Sequence, residues 1–383
     1  MSVRKVRVYP LSDGQFTSQI YAGLFDLAHT GEIELEFTSR PKIKISERRD
    51  WGSKTNHRLV YLELMERDRE PIKICYDMLD GPAIISMNGI ELCDVYFKRS
   101  YLPSYLDMNL DMSELYAHYE GWQTEHPEWK SKILPYGLNC PCRSEFEFAG
   151  LRRYLVFLAA TKAYRENPIR IAKVLIKKTL ASARKNITSG PIEVMPTVAS
   201  EPLILFQTRV FNPRDHVFSD EIVELNKARV ETIEALRQSF GDQFIGGLMP
   251  DDFARKHYPG LITSHGSSRK EYLELVRRCQ VVVFTRGIRQ SIGWRFPEYL
   301  AASRCIVTEP LLYHLPTPLL DGVNFLSFKS PEQCIISCRK LLNDPDLAQN
   351  MRAANFNYYE DNVKPAALVR RTLDAASAHM QAK

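Results

Sequence analysis

The chain has 383 residues, 44% of them apolar and 25% charged, with a formal net charge of +5. That length is too great for one typical core and predicts two domains of ordinary size, and the composition excludes a disordered or fibrous chain. No apolar run approaches the roughly 20 residues that span a bilayer, and the opening MSVRKVRVYPLSDG lacks the apolar stretch of a signal peptide.

Strands are predicted over 5–9 and 33–37. Between them a helix over 15–29 carries the apolar spacing Phe16, Ile20, Leu24 and Leu27. Gly14 sits between strand and helix, where a glycine lets backbone N–H groups approach an anion or simply makes a turn. Its neighbour Asp13 reads as a general base or as a turn acid capping the helix. Further strands are predicted over 60–64, 72–76, 95–98 and 133–138. Asp77 and Asp80 follow the strand over 72–76 and are the acids best placed to take a proton at a sheet edge. For Asp80, turn chemistry in Asp80-Gly81-Pro82 is the better reading. Residues 107–132 are acidic and aromatic-rich and read as an irregular insertion.

A helix is predicted over 154–183, interrupted near Pro168. Between Arg152 and Lys185 lie ten basic residues opposed by one acid, Glu166. Such a stripe is either a solvated face or a contact with something anionic, and Phe157, Leu158, Leu175 and Ile176 beside it suit a membrane surface. Residues 186–202, with Gly190, Pro191, Pro196 and Pro202, read as a linker.

Alternation then resumes. Strands are predicted over 203–207, 244–245, 281–284, 305–308 and 325–328. Helices are predicted from Ser219 to Phe240 and over 270–278, 296–303, 331–342 and 347–359, with a last one after Pro365. The predicted organisation is a first domain over 1–185, a linker over 186–202, a second domain over 203–364, and a C-terminal helix over 365–383 that returns to the first domain. Repeated strand and helix signals imply an α/β protein with largely parallel sheets: two doubly wound, Rossmann-like domains facing across a cleft. Ligands of such sheets bind beyond the carboxyl ends of the strands.

Eight cysteines are present, several inside apolar segments. Cys140-Pro-Cys142 is too closely spaced for a usual zinc pair, so buried free thiols in a reducing cytoplasm are expected. The chain has no Gly-x4-Gly-Lys loop, no His-Glu-x-x-His and no Gly-x-Ser-x-Gly, which argues against nucleoside triphosphatases, zinc proteases and esterases. No nucleic-acid-binding signature accompanies the basic stripe, so no nucleic-acid partner is expected.

The richest segment is 281–328. An apolar strand runs into a loop with Gly287 and Gly293. A helix follows, with a single acid, Glu298, among small and apolar residues. Ser291-Ile292-Gly293-Trp294-Arg295-Phe296-Pro297-Glu298-Tyr299-Leu300-Ala301-Ala302-Ser303 resembles the donor-site loop and helix of GT-B glycosyltransferases of the bacterial group 1 type, which build surface polysaccharides. The turn Asp321-Gly322-Val323-Asn324-Phe325-Leu326 and the strand that runs into Arg209 are similar to further marks of that family. The resemblance implies transfer of a sugar from a nucleotide-sugar donor to a saccharide or lipid-linked saccharide acceptor. It implies no bound metal and no cofactor. It also implies a cytoplasmic protein, with the basic stripe as its contact with anionic membrane. Nucleotide-sugar epimerases share the fold, and a pair of domains that has lost catalysis is the other alternative.

Site residues follow from the same resemblance. Glu298 matches the glutamate that meets the donor ribose; read alone, it is a helix-start acid stabilising the dipole. Gln290 stands where many retaining relatives carry the first acid of Glu-x7-Glu, so it brings a carboxamide and no charge to the transferred sugar. Arg209, directly after a strand, suits the diphosphate. Arg214 occupies a place where relatives often carry a basic residue. Arg295, beside Gly293 at the helix start, binds donor phosphate or bridges to Glu298. For an inverting reaction, Asp77 or Asp13 is the expected base.

Overall fold

A computed structural model describes residues 3–11, 14–38, 58–107, 125–147, 151–161, 193–216, 219–266 and 268–383. They divide into two compact units, one formed by Met1–Pro191, His314–Pro316 and Asp361–Lys383, the other by Ile192–Tyr313 and Thr317–Glu360.

The first unit is built on a six-stranded sheet in the order β2-β1-β3-β4-β5-β6. Its strands are β1 (Arg4–Tyr9), β2 (Ile33–Phe37), β3 (Leu59–Met65), β4 (Ile72–Asp77), β5 (Val95–Lys98) and β6 (Ile133–Pro135). The pairs β1–β2, β4–β5 and β5–β6 are parallel, while β3 runs antiparallel to both β1 and β4. Connection length explains the exception. Only residues 66–71 join β3 to β4, too few for the crossover a parallel neighbour requires. Among the described residues before position 192, its helices are α1 (Ser18–His29), α2 (Met87–Leu92), α3 (Pro103–Leu106) and α4 (Leu151–Ala160).

The C-terminal helix, Pro365–Gln381, also belongs to this unit. Leu368, Val369, Leu373 and Ala376 share one core with Val6 and Val8 of β1, Ile20 and Leu24 of α1, and Val60, Leu62 and Tyr76 of the central strands. Gly23 of α1 permits the close approach of the two helices: a Cβ there would lie 2.2 Å from the Pro365 carbonyl oxygen. On the sheet side, Tyr76 Oη of β4 lies 2.8 Å from Thr372 Oγ1 of the same C-terminal helix.

The second unit has a five-stranded, wholly parallel sheet in the order β11-β10-β9-β7-β8. Its elements are β7 (Glu201–Thr208), α5 (Ser219–Phe240), β8 (Phe244–Leu248), α6 (Asp252–His257), α7 (Arg269–Arg278), β9 (Cys279–Phe284), α8 (Arg295–Ala301), β10 (Cys305–Thr308), β11 (Leu326–Ser327), α9 (Pro331–Asn343) and α10 (Pro345–Tyr358). Ile204, Phe206, Val281, Val283, Cys305 and Val307 alternate into one face and pack on Ile233 and Leu236 of α5 and on Cys334, Cys338 and Leu341 of α9. β8 continues past the expected 244–245 through Gly246 and Gly247, whose positive φ angles of 158° and 138° suit glycine alone. A Cβ at Gly246 would meet the Phe206 carbonyl oxygen at 2.0 Å.

The stretch expected as a linker behaves otherwise where it is described. Val194 donates to the Ala301 carbonyl at 3.0 Å, Ser303 Oγ donates to the Val194 carbonyl, and Arg352 Nη2 donates to the Val198 carbonyl. Residues 193–200 are therefore fastened to the second unit through backbone groups that need partners once out of water. All eight cysteines are free and buried. Of the basic stripe, α4 lies within the described helix, but the side chains of Arg152 and Arg153 and all of 162–185 lie outside the described residues. Among the described residues, no helix is long and apolar enough to cross a membrane.

Candidate functional site

In a parallel sheet every strand ends at the same edge, so the loops after β7, β9 and β10 of the second unit converge there. β7 leads directly into Arg209, β9 into Thr285-Arg286-Gly287, and β10 into Glu309. Arg209 is exposed, and its guanidinium makes no hydrogen bond or ion pair among the described residues. Arg214, on the same loop, is also exposed. Its backbone N–H donates to Asn212 Oδ1 at 3.2 Å, and its guanidinium likewise makes no hydrogen bond or ion pair among the described residues.

The loops are held by α5, whose inner stripe Ile222, Leu225, Ile233 and Leu236 also carries polar residues. Asn226 grips Phe211 by both backbone groups, accepting from its N–H at 2.9 Å and donating to its carbonyl at 2.7 Å. Arg229 is 5% exposed and spans two loops. It donates to the Arg209 carbonyl and the Arg286 carbonyl, each at 2.7 Å, and to Thr285 Oγ1 at 3.2 Å. Burial pulls this guanidinium down to about 9, which still leaves it charged near neutral pH. Glu221, in the first turn of α5 and 8% exposed, accepts from the Arg289 N–H at 2.7 Å through Oε1. Its Oε2 is buried without a hydrogen-bond partner.

Arg286 is held loosely. Its guanidinium stands 3.8 Å from Glu221 and 4.0 Å from Glu309, beyond hydrogen-bond range, while its backbone N–H donates to Glu309 Oε2 at 2.7 Å. After Gly287 the chain makes a tight turn over Ile288–Gln290. Arg289 and Gln290 are both left-handed there, with φ of 57° and 59°, a conformation that costs side-chain-bearing residues about 1–2 kcal/mol each. The Arg289 carbonyl accepts from the Tyr313 hydroxyl. Gln290 is half-buried, and its carboxamide makes no hydrogen bond among the described residues. Gly293 lies over the Phe284 ring, where a Cβ would make ordinary contact at 3.7 Å.

Glu298 lies in the first turn of α8 and is 1% exposed. Its partner is Arg269, the first residue of α7, which reaches it with both terminal nitrogens, one at 2.8 Å. Of the two readings of Arg295, the bridge to Glu298 is not formed. Arg295 instead lays its guanidinium over the Tyr272 ring, 4.5 Å from the centroid, above the Tyr272–Tyr299 hydroxyl hydrogen bond. Arg269 is carried into place by the capping box of α7, in which Ser268 and Glu271 exchange side-chain and backbone hydrogen bonds.

In the first unit, Asp77 ends β4 and lies opposite Lys98 at the end of β5. It is 0% exposed, and it accepts from Tyr96 Oη at 2.6 Å, Lys98 Nζ at 3.0 Å and the Leu79 N–H at 2.7 Å. Burial raises the Asp77 pKa and lowers that of Lys98. With three donors around it and no surface, Asp77 meets no solvent-borne hydroxyl, contrary to the expectation of a base at a sheet edge. The network instead shapes the following loop, because Tyr96 Oη also accepts from the Ser86 N–H and Ser86 caps α2. Asp80 is bound between Arg58 and Arg99, at 3.1 and 3.0 Å. Gly14 ends the loop before α1, and its carbonyl accepts from the Thr17 N–H at 3.1 Å, a turn function. Asp13 lies outside the described residues.

The sheet edge thus gathers Arg209, Gly293, Gln290, Arg295 and Glu298 in one unit. Arg229, Glu221, Asn226, Arg269, Arg286 and Tyr313 were not expected there. The first three had a signal: polar residues recurring on the apolar stripe of a long helix. Arg269 had none, being separated from Glu298 by 29 residues. Chemically the edge presents cations, with Arg209 and Arg214 making no ion pair among the described residues and Arg286 only loose ones, and an uncommitted carboxamide.

No family model and no curated protein matches the chain. Among solved structures, it is similar to Anabaena HepE in complex with UDP, at 10% identity over 96% of this chain and 97% of that one, with a TM-score of 0.45. It is similar to the C-terminal domain of the glycosyl transferase group 1 family protein LpcC of Francisella tularensis at 13% identity, over 42% of this chain and 85% of that one (TM-score 0.31). A third is the UDP-GlcNAc 2-epimerase of Neisseria meningitidis bound to UDP-GlcNAc, at 12% identity over 96% and 73% of the two chains (TM-score 0.34).

Proposed function

We propose that the protein is a glycosyltransferase whose second unit binds a nucleotide-sugar donor at the carboxyl edge of its parallel sheet. The observation that carries this reading is Arg209: exposed, unpaired among the described residues, and fixed by its own carbonyl to a buried Arg229 directly after the first strand of the sheet. A guanidinium so placed matches the oxygens of a diphosphate leaving group, and Arg286 adds a second charge that its acids hold only loosely. Glu298 is then the partner of the donor ribose, reached where Arg269, 35% exposed, gives way. The acceptor is a saccharide or a lipid-linked saccharide, and polysaccharide or glycoconjugate assembly is the setting.

Thermal shift across UDP-, GDP-, TDP- and CMP-sugars and their diphosphates tests the reading. One nucleotide class raises the melting temperature of the wild type, and Arg209→Ala abolishes the rise without changing the melting temperature of the free protein. Indifference to every nucleotide would end the proposal. Nucleotide release that needs acceptor separates a transferase from an epimerase of the same architecture.

A further inference from the structure

The peptide of Arg289 is held from both sides by residues far away in sequence. Glu221, 68 residues earlier, accepts from its N–H at 2.7 Å, and Tyr313, 24 residues later, donates to its carbonyl. This peptide opens a pair of left-handed residues, neither of them glycine, so the conformation persists only because its surroundings impose it. The second residue of the pair is Gln290, whose donor and acceptor are both unused among the described residues. Glu221 is 8% exposed with Oε2 unpartnered, and Tyr313 is 5% exposed. Two buried polar side chains are thus committed to one strained turn on the loop that faces the sheet edge.

We infer that Glu221 and Tyr313 are positioning residues that hold the Arg289–Gln290 turn left-handed, so that the Gln290 carboxamide meets the sugar of the bound donor. The inference rests on the reading of the site as a nucleotide-sugar site. Without the clamp, Arg289 and Gln290 relax to right-handed or extended backbone, and the Gln290 side chain leaves the direction it now has. Loss of the Tyr313 arm leaves nucleotide affinity, which depends on Arg209 and Arg286, unaffected, whereas the step that depends on the orientation of the sugar slows.

Turnover of the donor found by thermal shift, read as nucleoside diphosphate release, is measured for wild type, Tyr313→Phe, Glu221→Gln, Glu221→Ala, Gln290→Gly and the double variant Tyr313→Phe/Gln290→Gly. Calorimetric titration with the matching nucleoside diphosphate is run on each. Loss of one hydrogen bond predicts about a tenfold lower kcat for Tyr313→Phe, with the diphosphate Kd unchanged, and a similar fall in kcat for Glu221→Ala, whose Kd tightens because Glu221 also faces the Arg286 guanidinium at 3.8 Å. Glu221→Gln keeps an acceptor oxygen and retains most of the activity. In the Gln290→Gly background Tyr313→Phe adds no further loss, because the clamp acts only through Gln290. Equal, additive losses in both backgrounds, or a Kd that weakens in step with kcat, would overturn the clamp. A wild type that binds no nucleotide overturns the donor-site reading, and the clamp with it.

Discussion

At the residue scale, one buried acid in each unit, Asp77 and Glu298, is matched to its cation in a different way. Asp77 and Lys98 are both sealed, and their pKa values move toward one another, as expected when burial disfavours the charged form of each. Removing one partner strands the other. Asp77→Asn and Lys98→Met should each destabilise the protein by about 3–5 kcal/mol in chemical denaturation, and the double variant by much less than the sum. A catalytic Asp77 would instead lose turnover without losing stability. Glu298 has a partner with an open flank, since Arg269 is partly exposed. Asp77 is sealed together with its cation, whereas the cation of Glu298 keeps part of its surface. That Glu298 would be buried and specifically partnered was legible because one acid stands alone on an otherwise apolar helix. Its partner was not, because Arg269 is one basic residue among several at a helix start. Asp77 was misread because position after a strand says where a carboxylate begins, not whether neighbouring strands close over it.

Among the elements, short strands bounded by turn residues were the most legible. Ile33–Phe37, Val95–Lys98 and Cys305–Thr308 have the limits their apolar runs suggest. Gly246 and Gly247 hid the second half of β8, since glycine reads as a breaker and here serves instead to let neighbouring backbone approach. The direction of β3 was equally hidden, because pairing depends on the turn over 66–71 rather than on the strand itself. α5 illustrates the same limit from the other side. Its length and apolar stripe were plain, but the polar grip of Glu221, Asn226 and Arg229 on the loops has meaning only once β7 and β9 lie side by side. The packing of α1 on the C-terminal helix makes a sharp test. Gly23→Ala places a methyl 2.2 Å from the Pro365 carbonyl oxygen and 2.6 Å from Val369 Cγ2. Backbone cannot retreat as a side chain can, so a loss of about 1–3 kcal/mol is expected in denaturant titration, while Gly31→Ala, with no atom within 4 Å, should cost only what its positive φ demands.

For the whole molecule, alternation of strand and helix was enough to read two α/β units. How the chain is shared between them was not expressed in any local pattern. The second unit is almost one continuous stretch, whereas the first closes its core with residues from the far end of the chain. During synthesis from the amino terminus this reverses the order of completion. The second unit has all its strands once residue 360 has been made. The first, although translated earlier, still presents the uncovered side of Ile20, Leu24 and Tyr76 until the helix Pro365–Gln381 emerges. Protease challenge of stalled nascent chains should therefore find residues 192–360 protected while the earlier-made residues are still cut. Early protection of the first unit would mean that its last helix is an embellishment rather than part of its foundation.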